Sequence, residues 1–299
     1  MSRPDPRLAA LWVASLALVL FCGALGRDRL DAFVAATPLP VLAVPVGAEV
    51  LARDGSLLRA FQVGDGRWRL DPGAVDPLFV DLLLMWEDAR FRAHGGVDAR
   101  AVLRAGVQAV WDGHVVSGAS TLTMQVARLL EDGTTGTWTG KGRQVRLALA
   151  LERRLGKDAI LDLYLRRAPY GGNIEGVQAA SLIYFRKDAA RLSLPEALTL
   201  AVIPQNPVKR IAERGRNTEL QAARERLWAL WAERDPAARQ HAPDAQLVLS
   251  AQSRGSLPFL APHLTDMLLA QPRSDAGVAA PVEIRATLDL RMQSTLERV

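Results

Sequence analysis

The chain is poor in the residues from which disulfide frameworks and metal sites are built. Only one of its 299 residues is a cysteine, Cys22, which excludes an intrachain disulfide framework and a thiolate zinc cluster. The four histidines, His94, His114, His241 and His263, show no HExxH spacing. We therefore predict no metal site.

Lysine is also scarce, with four in the whole chain, so the net charge of +5 is carried almost entirely by arginine. No RNP, zinc-finger or OB signature accompanies this basic excess, and we predict no nucleic-acid partner. Lys141 does not belong to a P-loop, because Gly142 rather than Ser or Thr follows it. An anionic membrane surface and a phosphorylated substrate remain as expected partners.

An uncharged segment lies near the N-terminus. Residues 8–25, LAALWVASLALVLFCGAL, would span about 27 Å as a helix, enough to cross a hydrocarbon core. A cleaved signal peptide and a lipoprotein signal are the alternatives. The small-x-small cleavage site of a signal peptide is poorly formed, and Phe21, directly before Cys22, does not fit a lipobox. We predict a cytoplasmic tail over 1–7 and an uncleaved transmembrane anchor over 8–26. Arginines flank both ends, so the positive-inside rule alone does not decide the orientation.

A short β element and then a helical body are predicted after the anchor. The Pro-rich stretch 36–48 is typical of a linker, and Asp54-Gly55 between two apolar runs predicts a hairpin. Residues 27–70 are therefore assigned to a linker with a small β-hairpin. Two helices are predicted on either side of a break at Gly156, and another is predicted to start after Ser193, which would be its N-cap.

The first helix of the body is expected to start at Asp76-Pro77 and to continue to Gly95-Gly96. On such a helix Glu87, Phe91 and His94 would share one face. Glu87 follows an apolar run, and desolvation raises the pKa of a carboxyl towards the working range of a general base. Periodicity alone favours an ordinary surface glutamate.

A hydroxyl-rich helix start follows, with Ser120 or Thr121 as the N-cap. Its first turns present Thr123, Gln125 and Arg128. Free N–H groups and a nearby arginine suit an anionic or polyhydroxylated ligand, and an ordinary capped helix is the alternative. The Gly- and Thr-rich stretch 131–144 is predicted to be a mobile loop with Lys141 and Arg143 at its end.

These motifs resemble those of the bacterial peptidoglycan glycosyltransferases, the lysozyme-like domain of class A penicillin-binding proteins. Glu87-Asp88-x-x-Phe91-x-x-His94-x-Gly96 resembles their first signature and Gly118-x-Ser120-Thr121-x-Thr123-x-Gln125 their second. Lys157-x-x-Ile160-x-x-x-Tyr164, the glycine turn at 171–172 and LAVIPQNP resemble later ones. RDGSLLRAF, STLTMQVARLL and RAPYGGN are most similar to the penicillin-binding protein 1C branch.

The resemblance implies a mostly α fold: a lysozyme-like glycosyltransferase domain over 71–235, preceded by the transmembrane helix and the short β element. It also implies polymerisation of lipid II into glycan strands, with release of undecaprenyl pyrophosphate, in bacterial cell-wall biosynthesis. Glu87 would be the catalytic base. The implied substrate-binding residues are Asp88, Phe91, His94, Ser120, Thr121, Thr123, Gln125, Arg128, Lys141, Arg143, Gln144 and Lys157.

The resemblance also implies partners and a location. Lipid II, the growing glycan strand, the cytoplasmic membrane and other proteins of cell-wall synthesis are the expected partners. The catalytic domain is expected on the periplasmic side of the bacterial inner membrane, on a single-pass anchor. No cofactor is expected to be required, although the resemblance leaves room for a divalent cation, Mg²⁺ or Mn²⁺.

The chain departs from the family pattern at three positions. The commoner pattern has Arg-Lys-x-x-Glu where this chain reads Gly140-Lys141-x-x-Gln144, so the second carboxylate is missing, and Arg166 stands where Asn is usual. Two alternatives stay open: a lytic transglycosylase-like enzyme, which also uses one Glu on a lysozyme-like helical fold, and a non-catalytic glycan-binding scaffold, which the missing acid and the absent transpeptidase motifs allow.

The end of the chain resembles the start of another domain. VEIRATLDLRMQSTLERV is similar to the strand and helix that lead into a penicillin-binding transpeptidase domain. Residues 236–299 are therefore expected to be a linker and the truncated start of that domain. Neither Ser-x-x-Lys nor Lys-Thr-Gly occurs, so no transpeptidase activity is expected of this chain.

Overall fold

The computed structural model describes most of the chain, and its described part is mostly helical, as predicted. The described residues are 6–112, 120–131, 137–212, 217–247, 249, 251–253, 255, 257–271 and 283–296. Side chains are described throughout these ranges except at 6–14, 109, 110, 112, 294 and 296. Gly118 of the second signature lies outside the described residues.

The elements follow one another in this order. The helices are α1 (Pro6–Ala35), α2 (Pro77–Glu87), α3 (Ala99–Asp112), α4 (Leu122–Leu130), α5 (Trp138–Arg154), α6 (Lys157–Arg167), α7 (Val177–Phe185), α8 (Leu194–Val202), α9 (Thr218–Arg234), α10 (Ala242–Ala245), α11 (Pro262–Ala270) and α12 (Leu290–Leu296). Short 3-10 helices cover Phe91–Ala93, Ala189–Arg191 and Pro236–His241. The strands are β1 (Glu49–Leu51), β2 (Leu57–Ala60), β3 (Trp68–Arg69), β4 (Ile174–Glu175) and β5 (Glu283–Arg285).

The strands form two small sheets. The predicted hairpin is confirmed, since β1 and β2 pair antiparallel across the turn at Gly55, whose φ of 84° suits glycine. β5 adds to the other edge of β1 in parallel, so the last described strand closes onto the first. Val50, Ala52, Leu58 and Ala286 form a small core that is separate from the main one.

The main core surrounds α8, which is buried at every residue except the first, Leu194. Its start was predicted correctly, because Ser193 and Glu196 form a reciprocal capping box. Helix α8 packs against α2 and α9, while α4 packs against α5 and α6. These two helix groups bring the ends of α2 and α4 together, and the candidate site lies there.

Helix α2 begins where predicted but ends early. The Asp76 carboxylate accepts from Phe79 N at 3.0 Å and caps the start. The expectation that one helix continues to Gly95-Gly96 is wrong, because the backbone leaves the helix at Asp88 with φ −162° and ψ 78°. The next residues form the 3-10 turn Phe91–Ala93, followed by His94 in extended conformation. Glu87, Phe91 and His94 therefore do not share one helix face.

The predicted loop over 131–144 is also partly wrong. Thr137 caps α5 by accepting from Gly140 N at 3.0 Å, so Lys141 and Arg143 lie in the first turns of a helix. Residues 132–136 of the predicted loop lie outside the described residues. Thr137, one of the threonines in the predicted loop, is thus the N-cap of α5.

Helix α1 covers the predicted anchor and continues to Ala35, nine residues beyond the predicted boundary at 26. Over the described part of the chain, no helix combines the length and the apolar character of a membrane span. The side chains of residues 8–14, the first part of the predicted span, are outside the described ones. From Leu16 to Phe21 the large apolar side chains of α1 are at least 60% exposed.

Candidate active site

Glu87 is the last residue of α2, and its carboxylate is held against α4. Oε2 accepts from Gln125 Nε2 at 2.8 Å, while Oε1 is buried and has no hydrogen-bond partner among the described residues. Burial raises the pKa of Glu87, and the Gln125 hydrogen bond and the positive charges of Arg210 and Arg128 oppose that rise. The net effect is a raised pKa, the direction that a general base requires.

Asp88 organises the site rather than facing outward. Both of its carboxylate oxygens lie 3.0 Å from His94 Nε2, and Oδ2 also accepts from Leu122 N at 2.9 Å. The side chains of Asp88 and His94 are each only 5% exposed. Asp88 therefore satisfies a free N–H at the start of α4, and it joins the two sequence signatures.

A hydrogen bond from Thr121 also connects the second signature to the first. Thr121 is the N-cap of α4: its Oγ1 accepts from Met124 N at 3.2 Å and donates to Gly96 O at 2.6 Å. The sequence predicted either Ser120 or Thr121 as the N-cap, and in the structure Thr121 caps α4. Ser120 remains exposed beside it.

Phe91, Thr123 and Lys157 tie three helices together behind the site. Glu152 Oε1 on α5 accepts from Thr123 Oγ1 on α4 and from Lys157 Nζ on α6, each at 2.6 Å. Lys157 Nζ also lies 4.4 Å from the centroid of the buried Phe91 ring. The structure thus places Lys157 in an internal ion pair, and its predicted substrate contact stays a prediction.

Three cations lie on the two helices near Glu87: Arg128 of α4, Lys141 of α5, on which the charge of Arg128 acts, and Arg143, two positions farther along α5. Lys141 Nζ lies 2.5 Å from Ser120 Oγ. Partial burial, with a smaller effect from the charge of Arg128, lowers the pKa of Lys141. Arg143 is half exposed, with Nε 4.0 Å from Glu131 Oε2. We call Arg128, Lys141 and Arg143 the cation cluster.

Gln144 lies on α5 next to the cation cluster and is only 8% exposed. Its amide carries no charge, so it cannot act as a base. Across the described residues, no three His, Cys, Asp or Glu side chains gather as ligands for a metal ion.

Sequence reasoning missed Arg210, which lies more than 120 residues after Glu87. It is 8% exposed, its Nη1 donates to Val202 O at 2.7 Å, and its guanidinium lies 5.7 Å from the ring of Trp86. Burial lowers the pKa of Arg210, whereas the negative charge of Glu87 raises it. No local pattern in the sequence connects these two residues.

Sequence reasoning gave no role in the site to two tyrosines near Glu87, although Tyr164 belongs to one of the family motifs. Tyr164 and Tyr170 are fully buried, and their hydroxyls have no hydrogen-bond partner among the described residues. Burial first, and the charge of Glu87 second, raise the pKa of both phenols. Two phenols that stay neutral therefore lie close enough to Glu87 for its charge to act on them. The Lys157–Tyr164 motif contained the one available sequence signal.

Comparison with known proteins decides the family. The family description Transglycosylase matches residues 54–230, more than half of the chain, including Glu87 and the cation cluster. The chain belongs to the transglycosylase family. The resemblance drawn from the motifs is thereby confirmed.

Relatives of this transglycosylase include several penicillin-binding proteins. Penicillin-binding protein 1C of Escherichia coli (strain K12) is 38% identical over 292 residues, which are 96% of this chain and 36% of that protein. Penicillin-binding protein 1A of Pseudomonas aeruginosa is 35% identical over 53% of this chain and 19% of its own length. The chain thus spans about a third or less of the length of these relatives. A crystal structure of penicillin-binding protein 1A from Haemophilus influenzae aligns over 77% of this chain and 24% of its own, at 17% identity and a TM-score of 0.32, too low to bear on the fold.

Proposed function

We propose that this transglycosylase is a peptidoglycan glycosyltransferase that polymerises lipid II into glycan strands and releases undecaprenyl pyrophosphate. Within the family, the observation that supports this reaction best is a desolvated carboxylate beside cations. Glu87 has a raised pKa, and the charges of both Arg128 and Arg210 act on it. A polymerising enzyme needs a base for the acceptor and positive charge for the leaving group.

In the proposed reaction Glu87 removes the proton from the acceptor sugar's 4-hydroxyl. The resulting oxygen attacks the anomeric carbon of the donor in line, so that the bond to the pyrophosphate breaks and the configuration inverts. The cation cluster offsets the negative charge on the departing pyrophosphate. Arginine suits this task because its guanidinium contacts phosphate oxygens in pairs.

We propose that one carboxylate is sufficient. Gln144 stands where the family pattern commonly has an acid, and it can only donate or accept a neutral hydrogen bond. Arg128 and Lys141 supply the charge that developing negative charge requires, and neither depends on the residue at 144. No cofactor is required in this scheme, and Mg²⁺ or Mn²⁺ enters only as a tested condition.

We further propose that α1 anchors the chain in the bacterial inner membrane with the catalytic body on the periplasmic side. The exposed apolar side chains from Leu16 to Phe21 support an apolar surrounding for this part of the helix. On α3, Leu103 and Trp111 are likewise exposed, which supports a body that lies at the lipid surface. Lipid II and the growing strand would then reach the site from that surface.

The test is lipid II polymerisation by the purified chain, with and without a chelator. Glu87→Gln keeps the shape but cannot take the proton, so we expect a loss on the order of 10²–10⁴-fold. Gln144→Ala removes one neutral hydrogen bond and should slow the reaction roughly 2–12-fold. Arg128→Ala should fall between these two, because it removes a charge-assisted contact.

The ordering of the three variants is the decisive result. Equal losses for Gln144→Ala and Glu87→Gln, on folded protein, would show that the single-carboxylate scheme is wrong. Cleavage of polymeric glycan in place of polymerisation would identify a lytic enzyme. No turnover of either substrate would leave a glycan-binding scaffold. Gln221→Ala is a matched control on α9, because the Gln221 amide contacts Glu225 and Arg224 and has no contact with Glu87, and we expect full activity for it.

A further inference from the structure

The C-terminal end of α1 is held against one face of α5. Arg146 of α5 donates from Nε to Thr37 Oγ1 at 2.8 Å and from Nη2 to the Phe33 carbonyl at 3.1 Å. Its guanidinium also stacks on the Phe33 ring, 3.8 Å from the centroid. Val34, between these contacts, is only 1% exposed. The helix end is therefore packed as well as hydrogen bonded.

Two more arginines of α5 reach the same helix end. Arg154 Nη2 donates to the Ala35 carbonyl at 2.6 Å. Arg153 Nη1 donates to the Asp31 carbonyl at 3.0 Å, and its Nη2 pairs with the Asp31 carboxylate. The Phe33 and Ala35 carbonyls are among the last four of α1, which have no partner within the helix and carry partial negative charge. Guanidinium groups satisfy both the hydrogen-bonding capacity and the charge.

The contacts are spread along both helices. Positions 146 and 154 are about 12 Å apart along α5, at about 1.5 Å per residue. The carbonyls they reach, together with that of Asp31, span only about 6 Å along α1. The contacts therefore extend over about two turns of α5 and about one turn of α1, and they hold the two helices together through several separate points.

Helix α5 also carries Lys141 and Arg143 in its first turns, at the opposite end from this contact. One continuous helix thus connects the cation cluster to the end of α1. A helix bends little over such a length, so the orientation of α1 sets the position of the cations.

We infer that Arg146, Arg153 and Arg154 are positioning residues that fix the angle between α1 and the catalytic body. They hold the cation cluster at the depth where a membrane-embedded pyrophosphate lies. This inference rests on the proposed function, since it takes α1 as the anchor and a lipid pyrophosphate as the leaving group. One exposed ion pair contributes little, so the three arginines must be changed together.

The first experiment tests the contact of Arg146, Arg153 and Arg154 with the end of α1, which we call the joint, without an activity assay. Cys22 lies exposed on α1 and accepts one spin label, and Ala229→Cys on α9 accepts the second. In vesicles we expect one narrow distance distribution for the chain with its arginines. The triple variant Arg146→Gln, Arg153→Gln, Arg154→Gln should give a broad one. A narrow distribution in this variant, or a broad one in the parent, would overturn the inference.

A second triple variant serves as the control, changing the exposed Arg191, Arg234 and Arg239 to Gln. It removes the same number of charges at sites away from α1, so its distance distribution should stay narrow. Broadening in the control as well would show that net charge rather than the joint controls the angle, and would count against the inference.

The second experiment compares lipid II turnover in vesicles and in detergent micelles. In vesicles the donor is held at a fixed depth, so the joint variant should lose about 10- to 100-fold, the scale expected for a small misplacement of catalytic groups. In micelles its turnover should stay within about twofold of the parent, because the depth is no longer fixed. Equal losses in both media, or no loss in vesicles, would contradict the inference. A parent chain inactive in both media would count against the proposed function, while the distance measurement still decides the joint.

Discussion

The hydrogen bond from Gln125 to Glu87 makes the pH dependence of the reaction a sensitive test of the site. Gln125 Nε2 lies 2.8 Å from Glu87 Oε2, and this bond opposes the rise in pKa that burial causes. Gln125→Met keeps the length of the side chain and removes the donor. The ionised carboxylate should then lose stabilisation while its protonated form is little affected.

The expected effect can be worked out from this geometry. A hydrogen bond to a charged group contributes about 1.5–3 kcal/mol, and each pKa unit corresponds to about 1.4 kcal/mol. Loss of the bond should therefore raise the pKa of Glu87 by about 1 to 2. Because the base works only when ionised, the acid limb of kcat/KM should move to higher pH by the same amount. Gln125→Glu should move it further, since two carboxylates at this distance do not both ionise.

The assay is the pH profile of kcat/KM for lipid II polymerisation, with folding checked on each variant. Gln221→Met on α9, whose amide donates to Glu225 at 3.1 Å, is the matched control and should leave the limb in place. Well above the limb, activity of Gln125→Met should return to within a few-fold of the parent, since the base is intact. An unmoved limb with a uniform loss at all pH values would refute this reasoning and assign Gln125 to substrate binding.

Three other predictions concern the stability of the fold, measured by urea unfolding. Burial, with smaller effects from Asp188 and Glu283, raises the pKa of Glu49 to about 7 from 4.5. The contribution of Glu49 to the free energy of unfolding is therefore fully present below pH 4.5, and at most about 3 kcal/mol of it is lost as the pH rises through 7. Glu49→Gln should abolish this pH dependence of stability. An unchanged pH dependence in the variant would contradict the prediction. Tyr184→Phe removes a 2.6 Å hydrogen bond to the Tyr170 carbonyl and should lower the free energy of unfolding by about 0.5–1.5 kcal/mol. Tyr164→Phe should leave stability nearly unchanged, because the Tyr164 hydroxyl has no partner among the described residues. Equal losses in the two variants would show that Tyr164 has a partner. Gly176→Ala should destabilise by more than about 1 kcal/mol, because φ is +82° and the new Cβ would lie 2.7 Å from Arg166 O; unchanged stability would rule out that strain.

Local chemistry in the sequence determined the helix starts and the family. Asp76-Pro77 and Ser193 with Glu196 each satisfy free N–H groups within a few residues, so a short window of sequence contains all the information needed. The hairpin at Gly55 was readable for the same reason. The two signatures identified Glu87 and the residues around it because their spacing is itself local.

The tertiary structure decided what those residues contact. The helix after Asp76 ends at Glu87 because Asp88 turns away to bind His94 and the start of α4, 34 residues later in the chain. Lys157 pairs with Glu152, and its predicted substrate contact stays a prediction. These outcomes depend on partners that are distant in sequence, and no periodic pattern encodes them.

The environment of Glu87 was decided in the same way. Glu87 is desolvated by burial, the buried tyrosines of and after α6 lie near it, and the positive charge of Arg210, from the segment after α8, acts on it. The sequence by itself determined that an acid stands at position 87. Only the packing of separate helices raised the pKa of that acid, because burial and charge act through space and not along the chain.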